Sequence, residues 1–497
     1  VPNNVFKTPK QATRLYRETY LGIPMMMFRD KESGYTLSLS RYQPVISGIN
    51  HSCASLTYDN NFKTIKVSYP VSGEYHSALE GAQHVYDLSI RASHTEDYEE
   101  ASYETYNAHF NLQNQRIVNT DIDEVYNVIN NDFKTFLHKT EQVQISTGNK
   151  YYSYGLPWRI TIEDGKFGPL TYQAGFVGQQ IPAAYNMILY GIMNNDLLSL
   201  QNGINTIDFW VEGAELMSGT VVPRIWYDTT GGPNGEGLFR AYPTFLRMAV
   251  DAMEGLMDAY LILSEHGIEM DSWYSALEKF GNFLTIYQNE DGSYYRCYNL
   301  EGGPFKDGDN GIEEPDKDRN ICQSESKVNT PMAVRILGKY YELTGQEKYK
   351  TAALKAGEFI YNELYPRGNY QGGTCDNSNA IDKEAGVYAM YAYDTLYMLT
   401  KDSKWIKCLK QATAFTMSTV LTTSFSVNKV KMYKDTPSGT VLEETDDLKA
   451  AYPVRHGYTD GLSFITCGYN GVDNYISFIY YELFRLYILT GEKTYLK

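Results

Sequence analysis

The stretch Gly372–Lys407, GGTCDNSNAIDKEAGVYAMYAYDTLYMLTKDSKWIK, decides how the rest of the chain is read. Its first half is a polar loop that places Asp376, Asp382 and Glu384 within nine residues, more carboxylates than an ordinary turn needs. Its second half, from about Ala385 to Leu399, predicts a helix of small and aromatic residues with almost no charge. A helix apolar all round is buried on every side. Thr400–Asp402 ends it, and Trp405 and Ile406 begin a more polar helix carrying Lys404, Lys407 and Lys410. An acidic loop at the mouth of an inner helix, then a tight turn to an outer one, is one unit of a helical toroid.

Working outward, the same unit recurs. Tyr340–Lys348 reads YYELTGQEK, Leu396–Lys404 reads LYMLTKDSK and Leu486–Lys493 reads LYILTGEK. Each joins a Leu-Thr to a polar turn and then a Lys beside an aromatic, and a recurring supersecondary unit signals a repeat architecture. The predicted inner helices are 176–193, 239–263, 327–343, 385–399 and 472–489. The predicted outer helices are 196–213, 271–288, 347–364 and 404–421. Residues 121–137 predict the first amphipathic helix, preceded by a connecting segment at 103–115. Before that, 35–41, 55–58, 64–69 and 84–92 show the alternation or β-rich content of half-buried strands. The fold class expected is therefore mainly α: an (α/α)6 toroid with an N-terminal β-sandwich-like domain. Its boundaries are 1–105 for the β domain, 106–140 for a linker and first helix, and 141–497 for the toroid.

The formal net charge of −16 argues against nucleic acid or an anionic membrane surface as partner. No apolar run reaches membrane-spanning length. Forty-five Tyr, 20 Phe and 5 Trp can supply flat platforms for sugars once the core is filled. The chain opens Val-Pro-Asn-Asn without Met, from which a processed or trimmed N-terminus is expected. The six Cys form no C-x-x-C pair, so a zinc or thioredoxin reading lacks support. Cys297 and Cys322 flank a charged, Gly-rich insertion that a disulfide between them would close, and buried free thiols are the alternative. The expected address is extracytoplasmic, periplasmic or secreted.

A β-sandwich followed by helical hairpins with Thr-Gly-punctuated turns resembles the six-hairpin (α/α) toroid superfamily of carbohydrate-active enzymes. Tyr154–Trp158 (YGLPW), Gly175–Pro182 (GFVGQQIP) and Asp376–Gly386 are similar to bacterial glycoside hydrolases acting on glucuronate-containing glycans. The resemblance implies an exo-acting glycosidase, β-glucuronidase-like, with an acidic oligosaccharide or polysaccharide as partner and no cofactor.

Glycoside hydrolysis needs a proton donor at the leaving oxygen and a second carboxylate for water or the anomeric carbon. Glu384, beside Asp382 at the edge of an apolar helix, is the first choice as acid. Glu325 and Asp228 compete for the second role, and Asp376 and Asp382 stand behind Glu384. The alternative is that Asp382 and Glu384 only cap a helix, where carboxylates are favoured. Substrate-binding candidates in the same loops are Trp158, Arg159, Gln179, Trp226, Tyr227, Arg240, Lys327, Arg455, His456, Tyr458 and Asp460. The cations among them would pair with a carboxylated sugar, or simply neutralise neighbouring acids. His456 with Tyr458 would suit a polysaccharide lyase or uronate epimerase instead. A non-catalytic glycan-binding protein is the third reading. The segment 307–318 spaces Asp307 and Asp309 like a calcium loop, but Ile312 stands where that loop needs Gly, so no metal is expected.

Overall fold

Alternating strands and strongly periodic helices divide this chain between them. The structure is a computed structural model that describes residues 13–17, 21–46, 55–59, 62, 64–68, 80–81, 84–113, 121–143, 150–157, 171–176, 180–213, 216–230, 238–239, 242–375, 377–422, 430–436, 439–445, 461–465, 472–473 and 475–496. The chain forms two compact units, one of residues 1–117, 381–387 and 409–497, the other of 118–380 and 388–408.

In the first unit the strands β1 (Thr13–Arg17), β2 (Met25–Arg29), β3 (Tyr35–Ile46), β4 (Ser55–Asp59), β5 (Thr64–Ser68) and β6 (His84–His94) form two antiparallel three-stranded sheets, β1-β4-β5 and β2-β3-β6. Met26 of one sheet packs with Leu56, Ile65 and Val67 of the other, which is the sandwich-like contact expected. The connecting segment expected at 103–115 is instead helical, in α1 (Tyr98–Leu112). Its buried face is Ala101, Thr105, Tyr106, His109, Phe110 and Gln113. That spacing is helical, but half the residues are polar, so the apolar signal is weak. The His109 ring meets Ser38 Oγ at 2.8 Å under the sheet.

The second unit begins with α2 (Ile122–Phe136), N-capped by Asp121, whose carboxylate accepts from Glu124 N at 3.0 Å. The hairpin β7 (His138–Val143) and β8 (Lys150–Gly155) follows, then the short strand β9 (Thr171–Gln173). Helical hairpins then succeed one another: α3 (Ile181–Asn194) with α4 (Leu197–Asp208), α5 (Leu246–Glu265) with α6 (Asp271–Ile286), and α7 (Thr330–Thr344) with α8 (Glu347–Phe359). Short strands β10 (Trp226–Asp228), β11 (Leu238–Phe239), β12 (Thr244–Phe245) and β13 (Cys297–Tyr298) line the connecting loops. These strands, with a hairpin of β14 (Val430–Thr436) and β15 (Gly439–Thr445) later in the chain, interrupt the helical pattern, in a region where only helices are expected after residue 121.

Helix α3 packs on α5 and α5 on α7, while α6 packs on α8, so the helices alternate between an inner and an outer layer. That is the mainly α, toroid-class construction read from the sequence. Helix α9 (Lys383–Thr400) joins the inner layer through Tyr388 and Tyr391, and α10 (Ser403–Met417) follows it. From Ala385 to Leu396 every residue of α9 except Thr395 is buried. Trp405 of α10 is buried while Lys407 is exposed. The last helix, α11 (Tyr480–Thr490), ends at Gly491, whose φ of 72° is left-handed.

Candidate functional site

Helix α5 is apolar except for one stripe. Arg247, Asp251, Glu254 and Asp258 fall four, three and four residues apart, on one face. Each has a partner from a neighbouring inner helix or its own turn. The Tyr388 hydroxyl donates to Asp251 Oδ1, and Arg247 Nε donates to the Tyr388 oxygen at 3.3 Å. The Arg247 guanidinium lies 3.7 Å from Asp251 Oδ2, donates to Gly373 O at 2.6 Å and stacks 4.9 Å from the Phe176 ring. Two turns on, Arg335 of α7 grips Glu254 with two nitrogens and lies 3.5 Å over the Tyr391 ring. Lys339 then binds Asp258 at 2.7 Å.

These surroundings separate the two acids Asp251 and Glu254. Burial raises the proton affinity of Asp251, which Glu254 reinforces and Arg247 and Tyr388 only partly offset. Burial pushes Glu254 the same way, but Arg335 and Lys339 overcome it and hold that carboxyl below the usual range. Tyr388 is driven well above an ordinary phenol, by burial first and then by Asp251. Carboxyls whose environments pull them apart are the raw material of acid–base assignments.

The loops entering α5, α7 and α9 are tied together below this stripe. Arg296, fully buried, donates to the carbonyls of Ile321, Cys322 (2.8 Å) and Thr374 (3.1 Å). Asn329 donates to Gly372 O at 3.0 Å, and Ser378 N donates to Gln323 Oε1 at 2.8 Å. Phe176, with φ of 100°, and Gln180, with φ of 47°, hold strained backbone before α3. The Gln180 amide fixes Leu156 by bonding both its N–H (3.1 Å) and its carbonyl (2.9 Å).

Of the residues expected from the sequence, Glu325 and Lys327 are brought together on the wall of a cavity of about 680 Å³. Lys327 pairs there with Asp291 at 2.6 Å. Asp228 and Trp226 lie on β10, where Asp228 Oδ1 accepts from Thr230 N at 3.1 Å and the Trp226 ring packs 5.0 Å from Tyr242. Tyr227 is buried between them, its hydroxyl 2.6 Å from that of Tyr151. Asp382 caps α9, accepting from Ala385 N at 2.8 Å, and Glu384 is buried in the first turn. Asp376, Trp158, Arg159, Gln179, Arg240, Arg455, His456, Tyr458 and Asp460 lie outside the described residues.

The stripe residues Arg247, Asp251, Arg335, Tyr388 and Tyr391 were not singled out from the sequence. Their signal is a set of charges at helical spacing inside apolar helices. Of the two states left open for Cys297 and Cys322, a disulfide or buried free thiols, the structure has the second: both are free, side by side in an apolar cluster with Phe245, Met248 and Phe305. Burial and the neighbouring Cys322 push the Cys297 thiol well up, so it remains protonated. In the segment 307–318, Asp307 is engaged by Lys317 at 2.8 Å and by Glu314 N at 2.8 Å. Among the described residues no group of three or more His, Cys, Asp or Glu is placed to hold a metal ion.

No protein-family model matches the chain, and no curated protein is significantly similar to it. Solved structures of similar backbone include a cellobiose 2-epimerase from Bacillus thermoamylovorans B4167, 11% identical, covering 76% of this chain and 85% of that one with a TM-score of 0.45. A family 76 glycoside hydrolase from a bovine Bacteroides thetaiotaomicron strain is 11% identical, covering 96% of this chain and 88% of that one at 0.41. An unsaturated glucuronyl hydrolase specific for heparin is 13% identical, covering 80% of this chain and all of that one at 0.34.

Proposed function

We propose that the protein is an exo-acting glycoside hydrolase that cleaves an acidic, glucuronate-bearing oligosaccharide, with Asp251 as its proton donor. The observation that carries this is the Asp251 carboxyl itself, partly buried on an inner helix, held by Tyr388 and Arg247 and raised in proton affinity by its surroundings. A carboxylic acid with raised proton affinity is what protonation of a glycosidic oxygen requires. Glu254 is a poor candidate for the second carboxylate, because Arg335 already occupies both its oxygens. That role falls to Glu384, Glu325 or Asp228. The acidic character of the substrate rests on the loop cations Arg159, Arg240 and Arg455 of the sequence, since Lys327 is paired with Asp291.

A lyase or epimerase would need Tyr388 or a similar group as a base. Burial holds that phenol protonated, which favours the hydrolase. The test is incubation with uronate-containing oligosaccharides. Reducing sugar released without the ultraviolet absorbance of an unsaturated uronate supports hydrolysis; that absorbance would mark elimination and overturn it. Binding without either product would mark a glycan-binding protein.

A further inference from the structure

The cavity of about 680 Å³ at the entry to α7 has a size suited to a small ligand. Its lining has an apolar component, Val328, Phe359 and Leu364, among mostly polar and charged residues. The charges on the lining are unequally committed. Lys327 is paired with Asp291 at 2.6 Å, and Glu358 with Lys404 at 2.7 Å. Glu325 and Glu363 form no ion pair among the described residues. Arg367, also on the lining, uses its Nε on the Glu363 carbonyl at 2.8 Å, and its outer nitrogens make no ion pair among the described residues. Asn362, Gln371 and Asn379 add side-chain amides, each both donor and acceptor.

Two uncommitted carboxylates against one guanidinium make this a poor place for a carboxylated sugar. They make a good place for hydroxyls: carboxylates accept from them, and the guanidinium and amides donate to their oxygens. An apolar ring such as Phe359 covers the C–H face of a pyranose. We infer that this cavity binds an uncharged sugar unit, through Glu325, Glu363 and Arg367 around Phe359. The inference rests on the carbohydrate reading above and extends it: the glycan carries neutral sugars as well as uronate.

Calorimetric titration of the full chain with cellotetraose, mannotetraose and xylotetraose tests this, beside a uronate tetrasaccharide. The expected result is saturable binding of at least one neutral probe, weakened roughly tenfold or more by Glu363→Gln and by Arg367→Ala, as loss of a charged hydrogen bond implies. Both side chains are exposed, and unchanged circular dichroism of the variants confirms that they fold. Binding of no neutral probe, or binding that both variants leave intact, overturns the inference. So does a uronate probe whose binding, stronger than any neutral one, is what the two variants abolish. Turnover of uronate glycans is read separately on the wild-type chain. Its loss would reject the hydrolase while leaving the cavity result standing, and its presence says nothing for the cavity.

Discussion

Tyr388 on α9 donates its hydroxyl hydrogen to Asp251 on α5, joining two inner helices through one partly buried bond. The bond stabilises the carboxylate form of Asp251 and so opposes the effect of burial. Tyr388→Phe removes that opposition and raises the proton affinity of Asp251 further. If Asp251 is the acid, it then stays protonated to higher pH. The alkaline limb of the kcat/KM profile should move up by about one to two pH units, since a hydrogen bond to a charged group is worth about 1.5–3 kcal/mol. Turnover should survive. A Tyr388→Phe variant with no activity at any pH would instead make the phenol itself the reacting group.

The second pair on the stripe is structural, and its energetics can be separated. Glu254 is buried and held by Arg335, which also covers Tyr391. Arg335→Ala should destabilise by about 3–5 kcal/mol, because it leaves a buried carboxylate without its partner. The double variant Arg335→Met, Glu254→Gln should cost clearly less, since no charge is stranded. Denaturant unfolding of the single and double variants reads the difference. Equal losses would mean that packing on Tyr391, rather than charge, dominates.

Much of this architecture was legible because periodicity survives in single helices. Residues 385–399 announced a buried helix by carrying a single charge, Asp394, and from Ala385 to Leu396 only Thr395 of α9 is not buried. The faces of strands were less legible. In β3 the alternation of Tyr35, Thr36, Leu37 and Ser38 gives the period, yet Thr36, Ser38 and Ser40 are buried while Tyr35 and Leu37 are exposed. Period tells which residues share a face; what covers that face is tertiary, here His109 on Ser38. The site was legible only in part for a related reason. Glu325 and Lys327 sit in a loop whose composition stands out, whereas Asp251 is one acid in an apolar helix. Its meaning comes from Tyr388, 137 residues later.

Close approach of α3 and α4 depends on two glycines. A Cβ on Gly203 would stand 2.6 Å from Ala184 O, and one on Gly191 would stand 2.5 Å from Leu200 N, backbone atoms that cannot rotate away. Gly203→Ala should therefore cost about 1–3 kcal/mol, the scale of overpacking, although Ala is otherwise the better helix former. A variant as stable as the parent in urea would show that the two helices slide apart at little cost.

Asp208 closes α4, where Trp273 Nε1 donates to it at 2.8 Å. Burial, helped by Glu212 and opposed by Trp273, raises its carboxyl from 3.8 to about 6. A raised folded-state value stabilises below the unfolded one and loses that contribution as pH climbs through the folded one. Relative to Asp208→Asn, which keeps an acceptor for Trp273, the parent should lose stability between about pH 4 and 6. The difference is at most about 3 kcal/mol, and less where solvent screens the group. Unfolding midpoints of the two proteins at three pH values check this. A constant gap across that range would reject the raised value.

The assignment of roles to Asp251 and Glu384 can be decided by crossing two variants with two leaving groups. Glu384 lies in the first turn of α9, one turn before Tyr388, and is buried. A proton donor matters when the leaving group is a sugar alkoxide and matters little when it is an activated phenolate, which departs unprotonated. Asp251→Asn should therefore slow cleavage of the natural glycan by about 10²–10⁴, the usual worth of general acid catalysis, and largely spare the aryl glycoside. Glu384→Gln should slow both substrates together if it supplies the base or nucleophile, since attack on the anomeric carbon is required whichever group departs. The amides keep shape, so binding should stay within a few-fold in each case. The reverse pattern, with Glu384→Gln sparing the phenol and Asp251→Asn harming both, would exchange the two roles. Near-normal activity of Glu384→Gln on both substrates would reduce Glu384 to a buried first-turn residue and pass the second role to Glu325 or Asp228.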